Sequence, residues 1–243
     1  MKGESGVLMV QDTTSFDFSH HPATSGMGAL ENEYCHGFLA HSTLAVSMSG
    51  VPLGLVEQQV WVRREEAKGK RHQRHTTPFE EKESYKWVLG LPEAYLAERP
   101  KWVTVCDREA HIYEFLDVVL EQEGDFIVRA SQGRSFTQAG EAVFKPIAQQ
   151  MPHALYGLSL KRRPDREPRL AQVELRFGSV TLKRPNRADT KRTSLTLQAF
   201  FLAELSFFKF AATFEDIVKA FNQPAIGVEG NDLLCLLNRL NRT

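Results

Sequence analysis

The stretch from Lys101 to Arg129 constrains the fold more than any other part of the chain. Lys101-Trp-Val-Thr-Val-Cys106 is a short apolar, β-branched run that stops at Asp107. From Glu109 to Gln122 the apolar residues Ile112, Phe115, Leu116, Val119 and Leu120 follow the i, i+3, i+4, i+7, i+8 spacing of an amphipathic helix. Gly124 ends that pattern, and Asp125-Phe-Ile-Val-Arg129 opens a second strand-like run. A strand, a helix and a strand in this order need a crossover connection, which predicts an α/β fold with parallel pairing in its sheet.

Upstream, Val7-Leu8-Met9-Val10 reads as a buried strand that ends at the polar cluster Gln11-Asp12-Thr13-Thr14-Ser15, and residues 16 to 36 read as loop. Ser42–Met48 and Val51–Val62 flank Ser49-Gly50, a turn dipeptide, and predict a hairpin. Residues 63 to 83 are dense in charge and predict an exposed loop. A helix is expected from about Phe79 to Leu89, and a second short one to Ala97 after Gly90-Leu91-Pro92.

Beyond residue 130 the character changes. Ala154–Leu160, Leu170–Phe177, Ser179–Lys183 and Thr193–Leu205 predict strands separated by basic loops. Between Lys161 and Arg192 there are eleven Lys and Arg against four Asp and Glu, a local excess of seven in a chain whose 30 basic and 30 acidic residues otherwise cancel. The tail holds one helical pattern, Thr213–Phe221, and a Leu-rich end. Three regions follow: a core over 1–130, a β-rich basic insertion over 131–205 and a tail over 206–243.

Composition excludes several classes. With 42% hydrophobic and 25% charged residues the chain is ordinary globular protein. No apolar run reaches the roughly 20 residues of a membrane span. The first residues are too soon interrupted by Gln11 and Asp12 for a secretory signal. Three cysteines without paired spacing argue against a disulfide framework, so a cytoplasmic location is expected. His20-His21 and His72-x-x-His75 lack the partners of a zinc site, and His111 is expected on a helix surface.

Asp12 and Asp107 are distinguished by position. Each lies where an apolar strand gives way to polar residues, and in open α/β sheets ligands bind beyond the carboxyl ends of the strands. Two carboxylates delivered there from neighbouring strands suit a hard divalent cation. The same placement suits a helix cap, for Asp107 above all.

Several strings in order carry a family resemblance: Val10-Gln-Asp-Thr-Thr-Ser-Phe16, His41-Ser-Thr-Leu-Ala45, Glu57-Gln-Gln-Val-Trp61-Val62-Arg63, Glu81-Lys-Glu-Ser84 with Lys86-Trp87, Val105-Cys-Asp-Arg-Glu-Ala110 and Asp125-Phe-Ile-Val-Arg129. From about residue 7 to about residue 200 the chain resembles the bacterial cut-and-paste transposases of the insertion-sequence-four type, which excise DNA through hairpin ends. The resemblance implies an RNase H-like mixed sheet with flanking helices and a β-rich insertion. It also implies a DDE set of acids holding two Mg²⁺ (Mn²⁺ as a substitute), and DNA strand cleavage and transfer at transposon ends. Asp12 would be the first acid and Asp107 the second. Arg129, Arg134, Lys161, Arg162, Arg163, Lys183 and Arg184 would meet the phosphate backbone of double-stranded DNA. A homodimer, or mixing with an intact transposase, and a nucleoid-associated cytoplasmic location go with it.

The chain also departs from the family. The Tyr-x-x-Arg-x-x-x-Glu-x-x-x-x-x-x-Lys pattern that carries the third acid does not occur, and Glu215, Asp216 and Glu229 are the substitutes at hand. The end-gripping amino-terminal domain and the carboxyl-terminal dimerisation region are not recognisable either. A truncated gene, or one shifted in frame after residue 199, would give this pattern. The expectation is therefore a weakly active or inactive transposase, with a non-catalytic DNA-binding or regulatory remnant as the alternative.

Overall fold

The twelve residues Gly6–Asp17 form one strand, β1, which runs straight through the polar cluster expected to end it. The reason lies in the partner. β3 (His36–Ser47) pairs with β1 antiparallel from Val7↔Ser47 to Asp17↔Gly37, and this ladder carries Thr13, Thr14 and Ser15 as extended backbone whatever their polarity. The computed structural model describes residues 6–30, 34–63, 77–92, 101–130, 145–162, 164, 167–186, 188, 190–204 and 233–237.

The chain divides into two units, the first comprising residues 1–124 with Asn186–Thr190 and the second the remainder. In the first, β4 (Pro52–Trp61) pairs with β3 across the predicted hairpin, whose turn uses Gly50 at φ 86°. The two-residue β2 (Gly28–Ala29) lies beside the start of β3. On the other side of β1, β5 (Lys101–Cys106) pairs in parallel from Gly6↔Lys101 to Val10↔Val105. The sheet is mixed and the class is α/β, as expected.

The helices are shorter than the periodicity predicts. α1 is a single turn, Lys86–Leu89, preceded by 3-10 turns at Phe79–Glu81 and Glu83–Tyr85. α2 spans Tyr113–Glu121 and starts four residues later than the apolar pattern suggests. Asp107 caps a separate 3-10 turn, Arg108–Ala110, and Ile112 is extended at φ −122°, ψ 128°. Phe115, Leu116 and Val119 of α2 are fully buried, and Trp87 of α1 wedges between Phe115 (6.4 Å) and His41 of β3 (4.6 Å, edge-on). One indole thus ties sheet, α1 and α2 together. His111 is buried, contrary to its expected surface position, because the 3-10 turn directs it inward ahead of α2.

In the second unit β6 (Asp125–Arg129), β10 (Leu233–Leu237), β9 (Ser194–Glu204), β8 (Arg169–Lys183) and β7 (Ala154–Leu160) follow in that spatial order, each pair antiparallel. The two strands expected either side of Gly178 are one strand of fifteen residues, since β9 pairs with β8 through that glycine without a break. α3 is the short turn Lys145–Ala148. The helical pattern expected over Thr213–Phe221 and the short helix to Ala97 lie outside the described residues. No helix among the described residues is long and apolar enough to cross a membrane.

Candidate metal centre

The parallel register of β1 and β5 is a constant offset of 95 residues, from Gly6↔Lys101 to Val10↔Val105. Two residues further along, that offset sets Asp12 level with Asp107, and Asp107 is still extended at φ −77°, ψ −173°. Both aspartates thus lie at the carboxyl edge, two residues past the last pair, and near enough for the Asp12 charge to act on the Asp107 carboxyl. Alternation along each strand gives them one face: Leu8, Val10 and Asp12 share it with Val103, Val105 and Asp107. Met9 and Gln11 share the opposite face with Trp102, Thr104 and Cys106. That second face is the helical one, where His41 meets Trp87 of α1.

The polar row continues across the sheet. Asp12 pairs with Ser42 of β3, and Ser42 with Gln58 of β4, whose Nε2 donates to the Ser42 hydroxyl at 3.0 Å. Two carboxylates, a hydroxyl and a carboxamide thus line one level.

Capping and ligation are compatible for Asp107. Its Oδ1 accepts from the Glu109 backbone N–H at 2.7 Å, which fixes the carboxylate and leaves Oδ2 for another partner. Burial pushes the Asp107 carboxyl above its ordinary value; the Glu109 N–H pulls it back, and the charges of Glu109 and Asp12 raise it again. A cation placed between Asp12 and Asp107 would relieve the repulsion that Asp12 contributes. Mg²⁺ is commonly held by one or two carboxylates with water completing its shell, so this pair fits such an ion. Among the described residues no cluster of three or more His, Cys, Asp and Glu side chains forms a metal site, and Glu215, Asp216 and Glu229 lie outside them. Cys106 is buried, and burial followed by the Asp107 charge pushes its thiol well up, so it packs rather than reacts.

Behind the acids, on the helical face, sits a polar network that motif reading alone did not expose. Gln11 Oε1 can only accept, so His41 donates to it from Nε2 (3.0 Å) and accepts the Thr13 hydroxyl at Nδ1 (2.9 Å). Thr43 donates to the Gly90 carbonyl at 2.8 Å, joining β3 to the end of α1. Lys86, buried to 8% exposure, lies 5.6 Å from the rings of both Trp61 and Trp87 and pairs with Glu109 at 3.2 Å. Gln59 Nε2 holds the Lys86 carbonyl at 3.1 Å. The chain from β4 through Lys86 to Glu109 therefore braces the turn that fixes Asp107. A lysine between Tyr85 and Trp87 in a charge-rich segment gives no sequence signal of burial.

Among the described residues, the basic side chains of the second unit do not form one patch. Lys161 and Arg162 follow β7 at the β7–β8 connection, while Lys183 ends β8 and Arg184 opens the β8–β9 connection, so the two pairs lie at opposite ends of β8. Fourteen steps of about 3.3 Å separate those ends by roughly 46 Å. Arg129, exposed at the end of β6, is level through Cys235 and Phe200 with Phe177 in mid-β8. Arg162 pairs with Glu167 at 3.2 Å on the surface. Arg176, part of the basic excess, is half-buried, paired with Glu174 at 2.6 Å and set over the Phe201 ring at 5.8 Å. Arg134 and Arg163 lie outside the described residues. No protein-family model matches the chain.

Proposed function

We propose that the first unit is the catalytic core of a DNA transposase of RNase H-like type, acting on the phosphodiester backbone of transposon ends with Mg²⁺ or Mn²⁺ and retaining weak activity. One observation supports the reading: Asp12 and Asp107 both lie two residues past the last β1–β5 pair, at the carboxyl edge, and the Asp12 charge raises the Asp107 carboxyl. The ordered motifs supply the reaction class. A divalent ion bound there supplies Lewis-acid stabilisation of an in-line phosphoryl displacement. The chain's own part is to hold ligands. Asp107 is immobilised by the Glu109 N–H, Asp12 is open to solvent, and the Ser42 hydroxyl stands beside it.

Mn²⁺ titration followed by electron paramagnetic resonance tests the centre directly. Asp12→Ala and Asp107→Ala should each weaken Mn²⁺ binding at least tenfold, and any Mn²⁺-dependent nicking of end-bearing DNA should vanish with them. Mn²⁺ affinity untouched by both substitutions would sink the reading.

The missing third-acid pattern in the sequence favours a second reading, a DNA-binding remnant that does not cut. It expects salt-sensitive binding of duplex DNA that survives Asp12→Ala.

A further inference from the structure

β1 and β5 differ in length, and the difference leaves an arm. Pairing with β5 stops at Val10↔Val105, while β1 continues for seven residues, Gln11–Asp17, paired with β3 alone. Asp12, Thr14 and Phe16 alternate onto one face of that arm. Phe38 lies directly across from Phe16, and the two rings stack at 4.7 Å and 11°. Phe18 stacks on Phe38 at 5.8 Å, and His21 meets Phe18 at 5.8 Å. Gly37 lets the strands close at this point, since a Cβ there would collide with the Phe16 carbonyl. The rings are therefore pinned by a rigid ladder.

Phe16 is nonetheless 43% exposed, between exposed Ser15 and Asp17. Phe38 covers one face of its ring, and a little under half of the residue stays open to solvent. A fixed, half-open π face is what an unpaired base stacks on.

We propose that Phe16 is a stacking platform for a nucleobase of a single-stranded or frayed DNA end whose backbone passes the Asp12–Asp107 edge. The placement supports this occupant. Four residues of strand put Phe16 about 13.6 Å from Asp12 on the same face, or four base rises of 3.4 Å. Bases inside a duplex are stacked on one another, so the platform selects unpaired ends. The idea rests on the phosphodiester reading of Asp12 and Asp107 for its ligand class and deepens it.

The test uses the full chain in EDTA with a short oligodeoxynucleotide carrying 2-aminopurine, whose emission is quenched on stacking. Affinity is read by anisotropy. Phe16→Leu keeps an apolar side chain without a π face, and it should weaken binding about 5- to 150-fold, the range for loss of one base–aromatic stack, and abolish the quenching. Phe16→Trp should preserve or strengthen both. Should Phe16→Leu not fold, Phe16→Trp decides alone, and loss of affinity with a larger ring overturns the proposal. So does wild-type affinity in Phe16→Leu, or a wild-type chain that binds no single strand. EDTA separates the two ideas: the oligonucleotide result is independent of the ion, and Mn²⁺ binding can fail or hold whatever Phe16 does.

Discussion

Acid should weaken the first unit through His41, by an amount the structure lets us work out. The imidazole is fully buried against Trp87, and burial first, then the positive charge of Lys86, pulls its pKa from 6.5 to about 4. Above pH 6.5 the ring is neutral folded and unfolded, so nothing is lost. As pH falls from 6.5 towards 4 the unfolded chain takes up a proton that the folded one refuses, and stability drops. The full difference is worth about 3 kcal/mol, of which about 2 kcal/mol is gone by pH 5. The hydrogen bonds do not rescue the charged form: Nδ1–H could turn to the Thr13 oxygen, but desolvation remains. Urea unfolding followed by Trp fluorescence at pH 7.5 and pH 5 measures this for the wild type and for His41→Asn, which carries no titrating ring. The wild type should lose about 2 kcal/mol more than the variant between the two pH values. Equal pH dependence in both chains would refute the assignment.

Lys86→Met should raise the His41 pKa by removing the second of its two depressing causes, while burial keeps it below 6.5; ring-proton NMR titration reads it. Asp12→Asn removes one of the charges that raise Asp107, so the Asp107 carboxyl should titrate at lower pH in ¹³C NMR, and an unmoved midpoint would mean that the two acids do not sense each other. In the second unit, Glu174→Ala removes the acid paired with the half-buried Arg176, whose Nε keeps its bond to the Gln150 carbonyl, and should cost about 1–3 kcal/mol in urea unfolding, whereas Glu174→Leu with Arg176→Met should cost less. Leu116→Ala, at a fully buried position of α2, should cost about 2–5 kcal/mol by the same assay.

Local chemistry made some of this legible in advance. Lys101–Cys106, Asp125–Arg129 and Ala154–Leu160 are strands with the bounds that their apolar runs announce, because each run is bounded by a polar residue or a breaker. Asp12 and Asp107 could be singled out as residues at the polar limit of a buried run. Ladders were less legible. β1 continues through Gln11–Asp17 because β3 supplies hydrogen bonds, and nothing in the composition of QDTTSFD records the presence of β3. The late start of α2 has a local cause: the Asp107 carboxylate satisfies the Glu109 N–H and caps a separate short turn that ends at His111, so a helix predicted from Glu109 is one turn too long. Burial of Lys86 and His111 depends on tertiary neighbours, and a one-dimensional charge pattern points the wrong way for both.

The basic excess between Lys161 and Arg192 carries the same lesson in its sharpest form. Proximity in sequence suggested a single phosphate-binding surface, but an antiparallel hairpin sends successive turns to opposite ends of the strand they share. Fifteen residues of β8 therefore convert neighbours in the chain into sites roughly 46 Å apart. Antiparallel connection disperses what lies close in sequence; parallel connection does the reverse. Ninety-five residues separate Asp12 from Asp107, yet parallel pairing of β1 with β5 brings both to one carboxyl edge, where the charge of the first raises the carboxyl of the second. On this geometry a contribution from Lys183 or Arg184 to DNA affinity should add independently to one from Lys161 or Arg162. Charge-removing variants at the two turns should multiply their effects on Kd, because residues so far apart share no phosphate. Strong non-additivity between the turns would mean that one ligand segment is read by both.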